Sequence, residues 1–164
     1  MSRLAKRQDA VKLPGSQGHI SQAGEVLTSL IVPVIRLEAY FSRAGETIAT
    51  AGGQTLARWL VLESVAEAPA TVAQIARRLG YMRQSVQRVA DLLEQDGLTL
   101  YAVNPAHQRS QLVRIKPHGR KALSTIQLAQ RVWADRIGSE IGEAELRQAS
   151  VVVENLTRIL KAQQ

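Results

Sequence analysis

The chain has no cysteine, which excludes disulfides, thiolate metal sites, a cysteine nucleophile and thiol-based redox sensing. It has no run of 18 or more apolar residues, so no membrane-spanning segment is expected. Its first residues lack the apolar core of a secretory signal, and a cytoplasmic location is the expectation. Phosphate-binding glycine loops, nucleotide-binding glycine patterns and HExxH are all missing, so the sequence reads as a non-enzyme with no cofactor. The three histidines, His19, His107 and His118, share no metal-ligand spacing, and no metal site is expected.

What is present is positive charge, unevenly placed. The net charge of +7 is concentrated between Thr71 and Lys121, where nine Lys/Arg face three Asp/Glu. Residues 1–20 add four bases against one acid and contain Pro14, Gly15 and Gly18, which predicts a flexible basic tail. Residues 21–70 hold three bases and five acids, and residues 122–164 hold five of each. Clustered Lys/Arg is the electrostatic footprint of a phosphate-binding surface.

That basic segment has a readable order. Val72, Ile75, Ala76 and Leu79 recur at i, i+3, i+4, i+7, the stripe of an amphipathic helix. Thr71 and Gln74 form a capping-box pattern at its start, and Gly80 stands where the helix would stop. A second stripe follows in Val86, Val89, Ala90 and Leu93, ended by Gly97. Two short helices joined by a glycine turn predict a helix-turn-helix.

The second helix has its apolar face accounted for, leaving Arg83, Gln84, Ser85, Gln87 and Arg88 to point outward. Arg and Gln can pair with base edges in a major groove, and Ser can contact bases or phosphates. Residues 98–103 and 111–116 read as two strands around a turn at Asn104-Pro105, with Arg109 at the tip. A hairpin after a helix-turn-helix is a winged helix. Arg77, Arg78, Arg114 and Lys116 are expected to meet phosphates, which position a protein without reading sequence.

The flanks are helical. Leu27, Leu30, Val34, Leu37 and Phe41 follow 3-4-3-4 spacing in a helix from Ser21 towards Thr50, with Pro33 expected to kink it. Thr55 predicts the start of a helix carrying Leu56, Trp59, Leu60 and Val65 and ending near Ala68-Pro69. Trp59 reads first as core and only secondarily as a ligand contact. Pro117 opens a helix to about Gly138, with Leu123, Ile126, Trp133 and Ile137 inward. The last helix, from Gly142-Glu143, repeats Leu146, Ala149, Val153, Leu156 and Leu160 at 3-4-3-4 spacing. Stripes this wide at both ends predict burial against a second subunit in a C2 homodimer.

The fold class expected is mainly α with a small β wing, a winged helix-turn-helix plus a helical dimerisation lobe. The expected division is a tail (1–20), a dimerisation helix with the first helix of the winged-helix domain (21–70), the DNA-binding core (71–116) and C-terminal dimerisation helices (117–164).

Over roughly residues 22–162 the order of parts resembles the MarR family of bacterial transcriptional regulators. The resemblance rests on TLARWLVLESV, on TVAQIARRLGYMRQSVQRVADLLEQDGL and on NPAHQRSQLVRIKPHGR. It implies a homodimer that binds double-stranded DNA through helix 83–96 and the wing Arg109, and represses genes from a pseudo-palindromic operator. It also implies release by a small, often phenolic, aromatic effector. The sequence departs from the family pattern at His107, where an acid often braces the wing Arg. It departs again at Met82, where a polar N-cap is usual, and at Lys116, where Thr is usual. The competing reading is a winged helix that docks proteins, separable by the salt dependence of duplex binding.

Overall fold

The computed structural model describes residues 20–107 and 109–163; the basic tail expected over residues 1–20 lies outside them up to His19. The elements run α1 (Gln22–Thr50), α2 (Leu56–Ser64), β1 (Ala70–Thr71), α3 (Val72–Leu79), α4 (Arg83–Gln95), β2 (Thr99–Ala102), β3 (Leu112–Ile115), α5 (Pro117–Ile141) and α6 (Glu143–Lys161). The chain divides into two compact units, Met1–Tyr40 and Phe41–Gln164.

In the first unit, described from Ile20 onward, α1 runs through Pro33 as one helical assignment. Its buried residues all lie past Tyr40, at Gly45, Ile48 and Ala49. Leu27, Leu30, Val34 and Leu37 are exposed in the single chain.

The second unit holds the core. Leu62, Ile75, Val86, Leu93, Val113 and Ile126 are among its largest fully buried side chains, drawn from α2, α3, α4, β3 and α5. The periodic stripes are therefore the packed faces. Gly119 lets α5 approach the sheet, because a Cβ there would collide with the Leu98 carbonyl oxygen. By contrast α6 has no buried residue, and Leu146, Val153 and Leu160 are exposed with Leu156 half-buried.

The sheet has three antiparallel strands in the order β1-β3-β2, not the two-stranded ribbon expected from sequence. Thr99 pairs with Ile115 and Ala102 with Leu112, while Ala70 pairs with Val113 on the other edge of β3. This added strand explains why α2 stops at Ser64 rather than near Pro69. Val65 and Ala66 close the helix with tight bonds to Leu62 O and Glu63 O, and the chain must then extend to reach β3. Conversely, α5 passes Gly138 and ends at Ile141. A mid-helix glycine costs only about 1 kcal/mol, less than stopping there would lose. The left-handed Gly142, φ +101°, makes the real break.

Candidate nucleic-acid interface

The helix-turn-helix is built as its sequence pattern predicts. Thr71 accepts from Gln74 N at 3.2 Å and Gln74 Oε1 accepts from Thr71 N at 2.8 Å, a complete capping box. Gly80 adopts φ +70°, a left-handed stop that a side chain would strain. Helix α4 begins without a side-chain cap, since Met82 offers none.

Arg83, Gln84, Ser85 and Arg88 are exposed on α4. Gln87 is different: it is half-buried, and its Nε2 donates to Asp91 Oδ1 (2.8 Å) and to the Tyr101 hydroxyl (2.7 Å). The Tyr101 hydroxyl donates in turn to Asp91 Oδ1 at 2.6 Å. Burial, then the Asp91 carboxylate, push the Tyr101 phenol well above its ordinary pKa. Spacing could have found Asp91, one helical turn on, but not the partner on β2, which lies 14 residues away.

The wing tip is set by its own loop. Asn104 Oδ1 accepts from Ala106 N at 3.1 Å, and Asn104 Nδ2 donates to Ser110 Oγ at 3.1 Å. His107 N donates to Asn104 O and Ser110 N to His107 O. An Asn–Ser brace thus orders the loop around His107. Arg109 is exposed at this tip. A cleft of about 170 Å³ brings together Arg109, Arg83, Gln87, Tyr101 and the start of α3 at Thr71-Val72. Two guanidinium groups and a helix N-terminus around one cleft form a site suited to an anion.

The remaining basic residues separate by partner. Arg77 and Arg114 are exposed, and Lys116 is half-buried beside Gly97. Arg78 donates to Ser64 O at 3.0 Å, satisfying a carbonyl at the end of α2. Two structural contacts had no local signal in the sequence. Arg58 reaches Asp96 at 2.6 Å across 38 residues, and Arg120 reaches Ala66 O at 2.9 Å across 54.

A second cavity, of about 450 Å³, lies between the end of α1, α2 and α5. Phe41, Trp59 and Trp133 wall it, with Glu63 and Gln130 at its polar side. Trp59 is both buried and part of this wall. Phe41 and Trp133 meet edge to face, centroids 6.0 Å apart. Among the described residues no group of three His, Asp or Glu could hold a metal, and no helix is long and apolar enough to cross a membrane.

Residues 53–110, which contain the helix-turn-helix, strand β2 and the loop after it, match the MarR family model. The uncharacterized protein Rv2011c of Mycobacterium tuberculosis (strain H37Rv) is 35% identical over 137 residues, covering 84% of this chain and 96% of that protein. The chain belongs to the MarR family. Among solved structures, the MarR family transcription regulator SP03579 superposes with a TM-score of 0.74 at 22% identity, over 85% of this chain and 93% of that one. Staphylococcus aureus MarR in complex with salicylate and kanamycin gives 0.74 at 14% identity, over 87% and 97%. The M. tuberculosis regulator MosR in complex with DNA gives 0.67 at 19% identity, over 81% and 96%. The chain shares its winged-helix fold with these transcription regulators.

Proposed function

We propose that this MarR-family chain is a dimeric, sequence-specific DNA-binding repressor, released from a pseudo-palindromic operator by a small aromatic effector. The observation that carries the reading is the shared cleft of Arg83, Gln87 and Arg109, which joins the recognition helix α4 to the wing at one anion-suited place. Arg83, Gln84, Ser85 and Arg88 would meet base edges and nearby phosphates in the major groove. Arg109 would enter the adjacent minor groove. Arg77, Arg114 and Lys116 would hold phosphates, and Arg78 would do so with the nitrogens not committed to Ser64 O. The DNA in the MosR complex makes the duplex the natural partner for the same fold here.

Dimerisation is supported by the uncovered stripes. Leu27, Leu30 and Val34 on α1 and Leu146, Val153 and Leu160 on α6 stand in water in the single chain, with Leu156 half-covered. Full burial of such a side chain contributes about 1.5–3 kcal/mol, and these are about half exposed, so each adds about half of that. Covering each stripe in both copies would offset much of the roughly 4–15 kcal/mol cost of association. A two-fold dimer would set two recognition helices about 34–36 Å apart, in successive major grooves.

For the effector, the 450 Å³ cavity beside Trp59 is the fitting site, of a size usual for small-molecule pockets. The salicylate and kanamycin bound to S. aureus MarR support a ligand-responsive reading. DNase I footprinting on the DNA upstream of the protein's own coding sequence tests the proposal. Two protected half-sites one helical turn apart are expected. No protection at any concentration that saturates a dimer would overturn it.

A further inference from the structure

We propose that the cavity beside Trp59 selects cationic aromatic ligands and disfavours aromatic carboxylates, a ligand class that rests on the effector reading above. Among the described residues, Glu63 is the one charged side chain in the cavity lining. It forms no ion pair among them. Its partners are neutral: Trp59 Nε1 donates to Oε2 at 3.3 Å, and Gln127 Nε2 donates to both oxygens at 3.2 Å. These bonds orient the carboxylate without cancelling its charge.

The same bonds consume donors that an anion would need. The Trp59 indole N–H already serves Glu63, as does the Gln127 amide from outside the lining, which leaves the lining side chains with Gln130 and the Trp133 indole as donors. A carboxylate ligand would meet Glu63 as a like charge. An ammonium group would instead find a carboxylate and three aromatic rings, Phe41, Trp59 and Trp133, whose faces carry negative electrostatic potential. The chain's overall +7 does not reverse this choice. Charges beyond about 8 Å are screened at physiological ionic strength, and the segment from 21 to 70 that supplies most of the lining holds five acids against three bases.

Isothermal titration calorimetry of the full-length protein with three probes of one shape tests this: 2-naphthylmethylammonium, 2-naphthol and 2-naphthoate. The ammonium probe is expected to bind at least about tenfold tighter than the carboxylate. Glu63→Gln should collapse that difference, and Gln130→Glu, on the exposed side of α5, should widen it. Equal or tighter binding of naphthoate to the native protein would overturn the ligand class while leaving an effector pocket in place. A preference unchanged in both variants would also overturn it, since the cavity acid would not then be its source. Binding of none of the three at millimolar concentration would remove the effector pocket and this inference together.

Discussion

The Tyr101 hydroxyl donates to Asp91 Oδ1 at 2.6 Å, tying strand β2 of the wing to the outer face of the recognition helix. Gln87 closes the triangle with both hydrogens of its amide nitrogen. Because Asp91 only accepts, the amide must place its nitrogen there, and Oε1 is left as the uncommitted atom. Gln87 is therefore preset as an acceptor, suited to the amino group of cytosine or adenine. Tyr101→Phe removes one of the two acceptors that hold the amide and leaves Asp91 alone to orient it. Expected is a loss of about fivefold or more on the operator, the worth of one hydrogen bond of about 1 kcal/mol, with binding to a scrambled duplex unchanged. Anisotropy titrations on both duplexes check this; equal losses on the two would mean the triangle sets stability rather than sequence preference.

The same triangle has an alkaline signature. Burial and the Asp91 carboxylate favour the neutral Tyr101 phenol, raising its pKa above the ordinary value of 10.0. Below about pH 10 the phenol is protonated whether folded or unfolded, and its contribution is complete. Above that, the unfolded chain loses the proton first, so the folded state holds more protons and stability falls as pH rises. Urea midpoints at pH 9 and pH 11 should drop further for the native protein than for Tyr101→Phe. Equal drops would remove Tyr101 as the cause.

Arg109 stands exposed on a loop ordered by Asn104 and Ser110. Arg109→Ala is expected to weaken operator binding by about tenfold and to lower the salt slope by about one unit. Asn104→Ala should produce a smaller loss in the same direction, because it loosens the loop without removing the cation. Unchanged affinity for Arg109→Ala would exclude a wing contact.

Asp96 sits at the C-terminal end of α4, where the helix dipole disfavours an acid, and Arg58 offsets it at 2.6 Å. Asp96 is 52% exposed, so solvent weakens the pair to about 1 kcal/mol. Arg58→Ala should therefore destabilise by about that much in urea unfolding. Asp96→Asn should cost less, since it also removes the acid from the unfavourable helix end. The reverse order would contradict this assignment.

Much of this was legible in the sequence because it is local. The Thr71–Gln74 capping box, the Gly80 stop, the stripes of α3 and α4 and the uncapped Met82 are all set within a few residues, and each appears where the pattern put it. Arg83, Gln84, Ser85, Arg88 and Arg109 are exposed, and Arg83 shares a cleft with Arg109 because the helix and wing fold next to each other. What was not legible depends on distant partners. The strand at Ala70-Thr71 exists because β3 offers it an edge, and that edge shortened α2. Gln87 has a local partner in Asp91, but its bond to Tyr101 on β2 depends on the fold, and Arg58 has no local reason to meet Asp96. Glu63 carries no motif; Trp59 is its neighbour one helical turn away, and only the fold adds Phe41 and Trp133.

Sequence-specific duplex binding is the central claim, and fluorescence anisotropy of the purified protein measures it most directly. A labelled duplex from its own upstream region and a scrambled duplex of equal length would be titrated across a range of salt. Binding to the native duplex is expected to be at least about a thousandfold tighter, with log K falling steeply and linearly with log salt concentration. Equal, weak binding to both duplexes, or none at low salt, would contradict a sequence-specific regulator of that region.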